Sequence, residues 1–293
     1  MPVQVGRYEI LEIIGRGASG QVARAHDPLI NRIVAVKLLS SEFAQGMARE
    51  EFIREARVVG QLSHPGIITL HDMGFEESSS TPYLVMEYVE GQPLEKLISK
   101  GHIPYARACA WAGDVASALA AAHRKGVIHG DVKPANILIS DEGRVKVKLT
   151  DFGIARLQNR DASGAPLLGT PAYWCPEQVL GKPQNARSDL FSLGVVFYEM
   201  VTGQRPFEGQ SLQSICGQIL SATPLPPSHA NPSAPAALDA ILGRCLAKDP
   251  LSRYATCDEL AAELYPLARR KAVIPQALTP PPVVATHRRL RLF

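Results

Sequence analysis

The sequence predicts an α+β protein with two unequal lobes, a small β-rich lobe that contains one prominent helix and a larger, mainly α-helical lobe. The chain has 293 residues, which is more than a typical single-lobed domain. Strand-like runs and turns alternate between residues 8 and 40, whereas the stretch after Gly91 is rich in Ala with apolar residues at helical spacing. A hydrophobic content of 46% and a charged content of 20% exclude disorder over most of the length.

The β-rich lobe is predicted from runs of β-branched and apolar residues that are bounded by turns. Its strand candidates are residues 8–14, 21–27, 32–39, 67–75 and 83–89. A helix is predicted over residues 44–62, because Phe52, Ala56 and Val59 share one face, and the turn at residues 64–66 ends it.

Helical patterns dominate the second lobe. Residues 106–126 are rich in Ala and place Trp111, Val115 and Leu119 at spacings of four, which predicts a long helix. The remaining predictions are a hairpin of residues 137–140 and 145–149, an irregular stretch at 152–177, an apolar helix at 190–201, a Pro-rich loop at 223–235, and closing helices at 238–250 and 257–270.

Charge, cysteines and hydropathy restrict the classes of function. A net charge of +3 gives no case for nucleic-acid binding. The five cysteines are scattered without a CxxC pair, which favours reduced thiols in a cytoplasmic protein. Residues 1–7 lack the apolar core of a secretory signal, and the apolar run Leu190–Val201 is too short to span a bilayer, so no membrane segment is expected.

Gly15, Gly17 and Gly20 form a GxGxxG loop, which on its own is a weak indication of function. A dinucleotide-binding loop would open a helix, whereas Gly20 leads into the strand-like residues 21–25, and a Walker GxxxxGK[ST] loop is missing from the sequence. The glycines are therefore expected at the tip of a hairpin whose backbone N–H groups lie over phosphates, the alternative being a plain Gly-rich turn.

Lys37 strengthens the phosphate-binding interpretation, because it lies on the strand that should follow this hairpin. Its ammonium there can meet the α- and β-phosphates of a nucleotide, and it needs a carboxylate to hold it. The next helix offers three. We expect Glu55, which lies near the buried stripe, with Glu51 one turn earlier as the alternative and Glu50 facing solvent.

Two further motifs complete the set, His129-Gly130-Asp131-x-Lys133-x-x-Asn136 and Asp151-Phe152-Gly153. Together with the glycine loop and Lys37, they resemble the motifs of the eukaryotic-like (Hanks-type) serine/threonine protein kinases of prokaryotes. The motifs run in that family's order from Gly15 to Arg253. The resemblance implies a bilobal protein-kinase-like fold over residues 8–270, with an N-lobe at about 8–88 and a C-lobe at about 90–270. Residues 271–293 would be a Pro-rich, basic tail or linker.

Phosphoryl transfer explains the residue types. Its transition state is loose, so positioning and charge neutralisation supply most of the rate. Asp131 would accept or orient the proton of the substrate hydroxyl, and Lys133 would place a positive charge against the γ-phosphate. Asn136 and Asp151 offer hard oxygen ligands that suit Mg²⁺ or Mn²⁺ bridging the phosphates of ATP.

The resemblance also assigns the adenine site to the segment that joins the lobes. Met86 would be the gatekeeper, while the Glu87 carbonyl and the Val89 amide would bind the edge of the base. The residues implied for ATP binding as a whole are Ile14, Gly15, Gly17, Gly20, Val22, Ala35, Lys37, Met86, Glu87, Val89 and Leu138.

Several residues are implied in support of the site. Thr170 is placed like the family threonine that contacts the catalytic Asp and Lys, and Cys175 stands where the family usually has Ala. A pair of Glu177 with Arg253 and a brace from Asp189 to the catalytic loop are expected to be structural. Phe152 and Gly153 belong to the same structural group.

These residues imply a non-specific serine/threonine protein kinase that transfers the ATP γ-phosphate to protein hydroxyls, its own included. The alternative is a pseudokinase-type scaffold that binds nucleotide. A small-molecule phosphotransferase is disfavoured, because Gly169-Thr170-Pro171 and Pro176-Glu177 shape a surface for peptides. The resemblance allows a homodimer, and it leaves open both a complete cytoplasmic kinase and the cytoplasmic part of a membrane-anchored one.

Gly130 departs from the family pattern, which usually has Arg before the catalytic Asp. That Arg pairs with a phosphate on the activation segment and couples phosphorylation to the order of the loop. Gly130 cannot make this pair. We therefore expect activity to depend only weakly on phosphorylation of the segment, where Ser163 and Thr170 are the candidate sites.

Overall fold

A computed structural model describes residues 4–17, 19–40, 49–77, 79–140, 146–152 and 170–269. Within these ranges the N-terminal lobe is an antiparallel sheet with the strand order β1-β2-β3-β4-β6-β5. Its strands are β1 (Gln4–Val5), β2 (Tyr8–Gly17), β3 (Gly20–Asp27), β4 (Arg32–Leu39), β5 (Leu70–Phe75) and β6 (Pro82–Glu87). All five strand candidates of this lobe are confirmed.

One helix, α1 (Arg49–Val59), packs on this sheet. Its buried residues Phe52 and Ala56 join a core cluster with Ala35 and Met86 of the sheet, as the helical spacing predicts. The helix ends before Gly60, so the predicted end at residue 62 is too late; Gly is a poor helix former. Residues 44–48 of the predicted helix lie outside the described part of the chain.

The C-terminal lobe begins with a short sheet, in the order β7-β8-β9, and two helices. These elements are β7 (Gln92–Pro93), α2 (Leu94–Ile98), α3 (Tyr105–His123), β8 (Ile137–Ser140) and β9 (Lys146–Leu149). The predicted long helix and both strands of the hairpin are thereby confirmed, while residues 141–145 between the strands are not described.

The rest of the lobe is helical. Its helices are α4 (Pro176–Val179), α5 (Ala186–Thr202), α6 (Leu212–Ser221), α7 (Pro227–Ala230), α8 (Ala237–Cys245) and α9 (Cys257–Ala268). Helix α5 is buried on all sides, which is why its sequence is apolar without a polar face. Asn185 caps its N-terminus by accepting from the Arg187 N–H, and Gly203 ends it in the left-handed region at φ +74°.

Short helices interrupt two segments that the sequence predicts to be irregular. Helix α4 lies at the end of the 152–177 stretch, and α7 lies inside the Pro-rich loop at 223–235. Each begins with Pro at its first position, Pro176 and Pro227 respectively, where the fixed φ favours a helix and the missing N–H costs nothing. Proline therefore marks a helix start here rather than a loop.

The two lobes are joined by backbone hydrogen bonds as well as by the chain. Leu149 of β9 donates to the Gly66 carbonyl at 2.8 Å and accepts from the Ile68 N–H at 3.0 Å. The connection between α1 and β5 thus extends across to the sheet of the C-terminal lobe. Among the helices in the described ranges, none combines the length and the apolar character that crossing a membrane requires.

Candidate active site between the lobes

The glycine loop is the tip of the β2–β3 hairpin, where Gly17 pairs with Gly20. At Gly20, φ is +136°, and a Cβ atom would lie 2.1 Å from the Leu38 carbonyl oxygen, so the close approach of β4 requires glycine. At Gly17 a Cβ atom would have no neighbour within 4 Å. Packing within the described protein therefore does not require glycine at position 17. The missing side chain leaves space at the tip of the hairpin for a ligand. Ile14 beside the loop is 46% exposed.

The residues expected around adenine come together under this hairpin. Val22, Ala35, Met86, Val89 and Leu138 belong to one apolar cluster, and Ala35 pairs directly with Met86 across β4 and β6. Leu138 comes from β8, so the cluster is built from both lobes. The arrangement forms an apolar surface beside the segment that joins them.

Glu87, at the end of β6, is held by its side chain. Its Oε2 lies 2.8 Å from the Lys148 Nζ on β9 and accepts from the Thr69 N–H at 3.3 Å, while the Glu87 N–H donates to the Thr69 carbonyl at 2.9 Å. The backbone of the joining segment is thereby tied to both lobes. The sequence reasoning did not single out Lys148.

Lys37 forms its ion pair with Asp151, at 2.8 Å between Nζ and Oδ1, and its side chain is 3% exposed. From the sequence, Glu55 is the expected partner. Among the described residues Lys37 has no ion pair with Glu55, which is half-buried, and its carboxylate partner is Asp151. Burial is the largest single influence and raises the pKa of Asp151, but the positive charges of Lys37, His129 and Lys133 together outweigh burial and hold the pKa below its ordinary value.

Asp131, Lys133 and Asn136 are in direct contact. The Lys133 ammonium lies 2.6 Å from Asp131 Oδ2, and the Asn136 side-chain N–H donates to the Asp131 carbonyl at 2.8 Å and to Oδ2 at 3.1 Å. A short 3₁₀ turn, Pro134–Asn136, folds the chain back so that the amide reaches Asp131. The spacing of the motif thus produces one polar cluster with a half-buried carboxylate at its centre.

Asp189 on α5 fixes the backbone of the loop that leads into Asp131. The Asp189 carboxylate accepts from the His129 N–H at 2.9 Å and the Gly130 N–H at 2.8 Å, which is the brace that the sequence leads us to expect. It also lies 2.7 Å from the His123 Nε2, a partner that the sequence reasoning missed. The fully buried His129 adds a further bond, in which its Nδ1 accepts from the Asp131 N–H at 3.2 Å.

Gly130 has φ +76°, in the left-handed region that favours glycine. Its carbonyl accepts a buried hydrogen bond of 3.0 Å from Gln178 Nε2, and Gln178 Oε1 accepts from the Cys175 N–H at 3.0 Å. Sequence reasoning missed Gln178. The signal that could have found it is its position three residues after Cys175, where a Gln side chain closes a capping box.

Of the other residues that the sequence implies in support of the site, some make the expected contact and others do not. Arg253 Nη2 lies 3.0 Å from Glu177 Oε1, as expected, although neither Glu177 oxygen has an aligned hydrogen-bond donor, so the pair is coulombic. Thr170 is exposed, and no hydrogen bond from it to Asp131 or Lys133 is found among the described residues. Gly153 and Ser163 lie outside the described residues, while Phe152 packs on His129 with 4.6 Å between ring centroids.

Cys175 behaves as a small buried apolar residue. It is 0% exposed, and burial raises the pKa of its thiol to about 12, so the thiol stays protonated at neutral pH. The replacement of the usual Ala therefore adds no charge beside Gln178.

The oxygen ligands present suit a divalent cation that is shared with phosphates. Asn136 uses its amide nitrogen on Asp131, which leaves Oδ1 as an acceptor, and Asp151 supplies a carboxylate. Mg²⁺ is usually held by one or two such groups together with substrate phosphates rather than by a complete protein cage. The described ranges hold no group of three His, Cys, Asp or Glu side chains that could bind a metal ion.

This fold and this arrangement of residues are those of a protein kinase domain. The chain matches the family model described as the protein kinase domain over residues 8–265, and it therefore belongs to that family. The kinase domain of PknI from Mycobacterium tuberculosis superposes with a TM-score of 0.71 at 27% identity, covering 91% of this chain and 98% of that one.

Curated relatives are bacterial serine/threonine-protein kinases. The chain is 40% identical to the probable serine/threonine-protein kinase CE0033 of Corynebacterium efficiens, over 96% of this chain and 46% of the relative. It is 41% identical to the serine/threonine-protein kinase PknB of Mycobacterium tuberculosis, over 88% of this chain and 42% of the relative. The chain thus spans less than half the length of these two relatives.

Proposed function

We propose that this chain transfers the γ-phosphate of ATP to Ser and Thr hydroxyls of protein substrates, its own included. The observation that carries the proposal is the contact of Asp131 with both Lys133 and Asn136, beside the Lys37–Asp151 pair. A scaffold that only binds nucleotide has no need of a carboxylate held by a Lys and an Asn. The relatives named as serine/threonine-protein kinases support the substrate class.

Each residue has a role in this proposal. Val22, Ala35, Met86 and Leu138 enclose adenine, with the Glu87 carbonyl and Val89 amide on the edge of the base. The glycine hairpin, with Ile14 beside it, covers the phosphates. Asn136 and Asp151 hold Mg²⁺ or Mn²⁺, which supplies positive charge against the phosphates when bound.

Asp131 orients the attacking hydroxyl and accepts its proton, and Lys133 neutralises the γ-phosphate. Because Asp131 and Lys133 lie 2.6 Å apart, their charges are already balanced before substrate enters. A carboxylate held in this way costs little reorganisation during transfer.

Asp151 would share its carboxylate between Lys37, which lies at Oδ1, and a bound metal ion, and the positive charge of the ion would weaken the pair with Lys37. We propose that Lys37 then meets the α- and β-phosphates and takes Glu55 of α1 as its new carboxylate. Glu55 lies on the same helix as Phe52 and Ala56, whose packing on the sheet sets how closely the helix approaches Lys37. Rotation or translation of α1 would therefore accompany nucleotide binding.

Further proposals concern organisation and regulation. The kinase domain is residues 8–270, with lobes at about 8–88 and 90–270 and a tail at 271–293, located in the cytoplasm.

Gly130 makes activity weakly dependent on phosphorylation at Ser163 or Thr170, so phosphatase-treated protein should keep most of its activity. A homodimer is a further proposal, which sedimentation velocity would detect as a concentration-dependent shift.

The central experiment measures transfer of labelled γ-phosphate from ATP to a generic protein substrate and to the chain itself. Wild type should incorporate phosphate with Mg²⁺ or Mn²⁺, and Asp151→Ala should lose activity by about 100-fold or more, because it removes a preorganised charge. Asp258→Ala, which breaks an ion pair that is 61% and 59% exposed, is the matched control and should be fully active. Nucleotide binding without any incorporation by wild type would identify a pseudokinase instead.

A further inference from the structure

The peptide groups on either side of Gly130 are bound by two different helices. The Gly130 N–H donates to Asp189 on α5 at 2.8 Å, and the Gly130 carbonyl accepts from Gln178 on α4 at 3.0 Å. All three residues are buried, Gln178 to 8% exposure. The loop conformation before Asp131 is therefore held by outside partners on both sides.

The bond from Gln178 acts on the peptide that leads into Asp131. The carbonyl of Gly130 and the N–H of Asp131 belong to the same planar unit, and that N–H donates to His129 Nδ1 at 3.2 Å. Fixing the carbonyl therefore fixes the peptide plane from which Asp131 starts, so that only the rotation about its own N–Cα bond remains to direct the side chain. Glycine has no Cβ to restrict its own φ and ψ, so these bonds replace the restriction that a side chain would give.

Capping of α4 does not account for the whole interaction. The cap needs only Gln178 Oε1, which accepts from the Cys175 N–H at 3.0 Å. The donor end of the amide points away from α4 to the catalytic loop, across 48 positions in sequence. One side chain thus joins the segment that ends in α4 to the residue before Asp131.

We propose that Gln178 is a positioning residue for Asp131, which it orients through the Gly130 carbonyl and links to the fold of residues 170–179 through the Cys175 N–H. The inference rests on the proposed function, because Asp131 must be the catalytic carboxylate. Through these two backbone bonds, the conformation of residues 170–179 influences the conformation of the catalytic loop. A loop without an Arg at position 130 needs no charged side chain for this route.

Two variants separate positioning from capping. Gln178→Leu removes donor and acceptor together and should lower kcat about 10- to 100-fold, since a small misplacement of a reacting group has effects of this order, while KM for ATP stays within about twofold. Gln178→Glu keeps an acceptor for the cap but donates to the Gly130 carbonyl only when it is protonated. Gln213→Leu and Gln213→Glu, on the exposed face of α6, are the matched controls.

The pH profile gives the sharpest result. Burial and the nearby carboxylates of Glu177 and Asp189 raise the pKa of a carboxyl group at position 178, while Arg253, which pairs with Glu177, opposes them. The new carboxyl should therefore become protonated between about pH 8 and about pH 6. The donor returns as pH falls, and the kcat of Gln178→Glu divided by that of wild type should rise toward one. A ratio that does not change with pH, or a Gln178→Leu variant with the kcat of wild type, would overturn the proposal.

A readout without catalysis distinguishes failure of this inference from failure of the proposed function. Hydrogen–deuterium exchange of a peptide covering residues 127–136 should speed up in Gln178→Leu and stay unchanged in Gln213→Leu. If wild type transfers no phosphate, the kinase proposal fails, and unchanged exchange in Gln178→Leu would still refute the positioning contact by itself. An active wild type with normal exchange and kcat in Gln178→Leu would refute the inference alone.

Discussion

Gly130 adopts φ +76° in the turn that leads to the catalytic carboxylate. For any L-residue with a Cβ this left-handed region costs roughly 1–2 kcal/mol, so a side chain at this position would have to be forced into it by the bonds to Asp189 and Gln178. In the sequence, Gly130 stands out only for the Arg side chain that it lacks. The structure adds that glycine suits this position because of its φ.

Gly130→Ala should lower the free energy of unfolding by about 1–2 kcal/mol, because alanine pays the cost of the left-handed region. Equilibrium urea unfolding measures the change. Gly217→Ala is the matched control: Gly217 lies inside α6 with no atom near its missing Cβ, so the same substitution should stabilise by about 0.5–1 kcal/mol. Equal stability of Gly130→Ala and wild type would contradict the assigned conformation.

At the level of elements, strand β9 does more than complete the small sheet. Its residue Lys148 reaches the end of β6 and pairs with Glu87 at 2.8 Å, and the two side chains are only 12% and 29% exposed. Thr69, just before β5, binds the same carboxylate through its N–H at 3.3 Å. Three elements from both lobes therefore meet at the segment that would bind adenine.

A double-mutant cycle of Lys148→Met and Glu87→Gln should give a coupling free energy of about 1–2 kcal/mol, the range for a partly buried hydrogen bond between charged groups. Urea unfolding of the two single variants and the double variant provides it. The pair of Arg124 and Asp258, exposed by 61% and 59%, offers the comparison and should couple by about 0–1 kcal/mol. Additive effects of the two substitutions would show that the Lys148–Glu87 pair contributes nothing to the free energy of unfolding.

For the molecule as a whole, Arg253 connects distant parts of the helical lobe. It pairs with Glu177 of α4 and donates to the carbonyls of Arg187 in α5 and of Ala247 and Lys248 after α8. Its side chain is 0% exposed. A buried charge with this many partners contributes mainly by preventing the other groups from being left unpaired.

Arg253→Met should lower the free energy of unfolding by about 3–5 kcal/mol, because the Glu177 carboxylate would remain buried without its partner. Arg244→Met is the control: its pairs with Glu259 and Glu263 are about half exposed, and its loss should cost roughly 0–1 kcal/mol. Thermal and urea unfolding of both variants measure the difference. Similar losses for the two would argue against a special role for the buried pair.

Local patterns predict most of this architecture, and tertiary partners account for what they miss. Strand alternation and helical spacing locate β2 to β6, α3 and α5, because those signals are properties of neighbouring residues. The partner of Lys37 could not be chosen in this way, since Glu55 and Asp151 are far apart in sequence and only packing decides between them. Gln178 escaped notice for the same reason, because its donor reaches a loop 48 positions away.

Asp189 has a consequence for how the catalytic loop is made. It binds the His129 and Gly130 amides across 60 and 59 positions in sequence, and His123 across 66. The loop therefore takes its shape only after these long-range hydrogen bonds have formed. During refolding, enzymatic competence should therefore arrive with the docking of α5, well after residues 127–136 could form local turns. A nascent chain that has not yet reached residue 189 carries the catalytic side chains but lacks the Asp189 carboxylate that orients their loop.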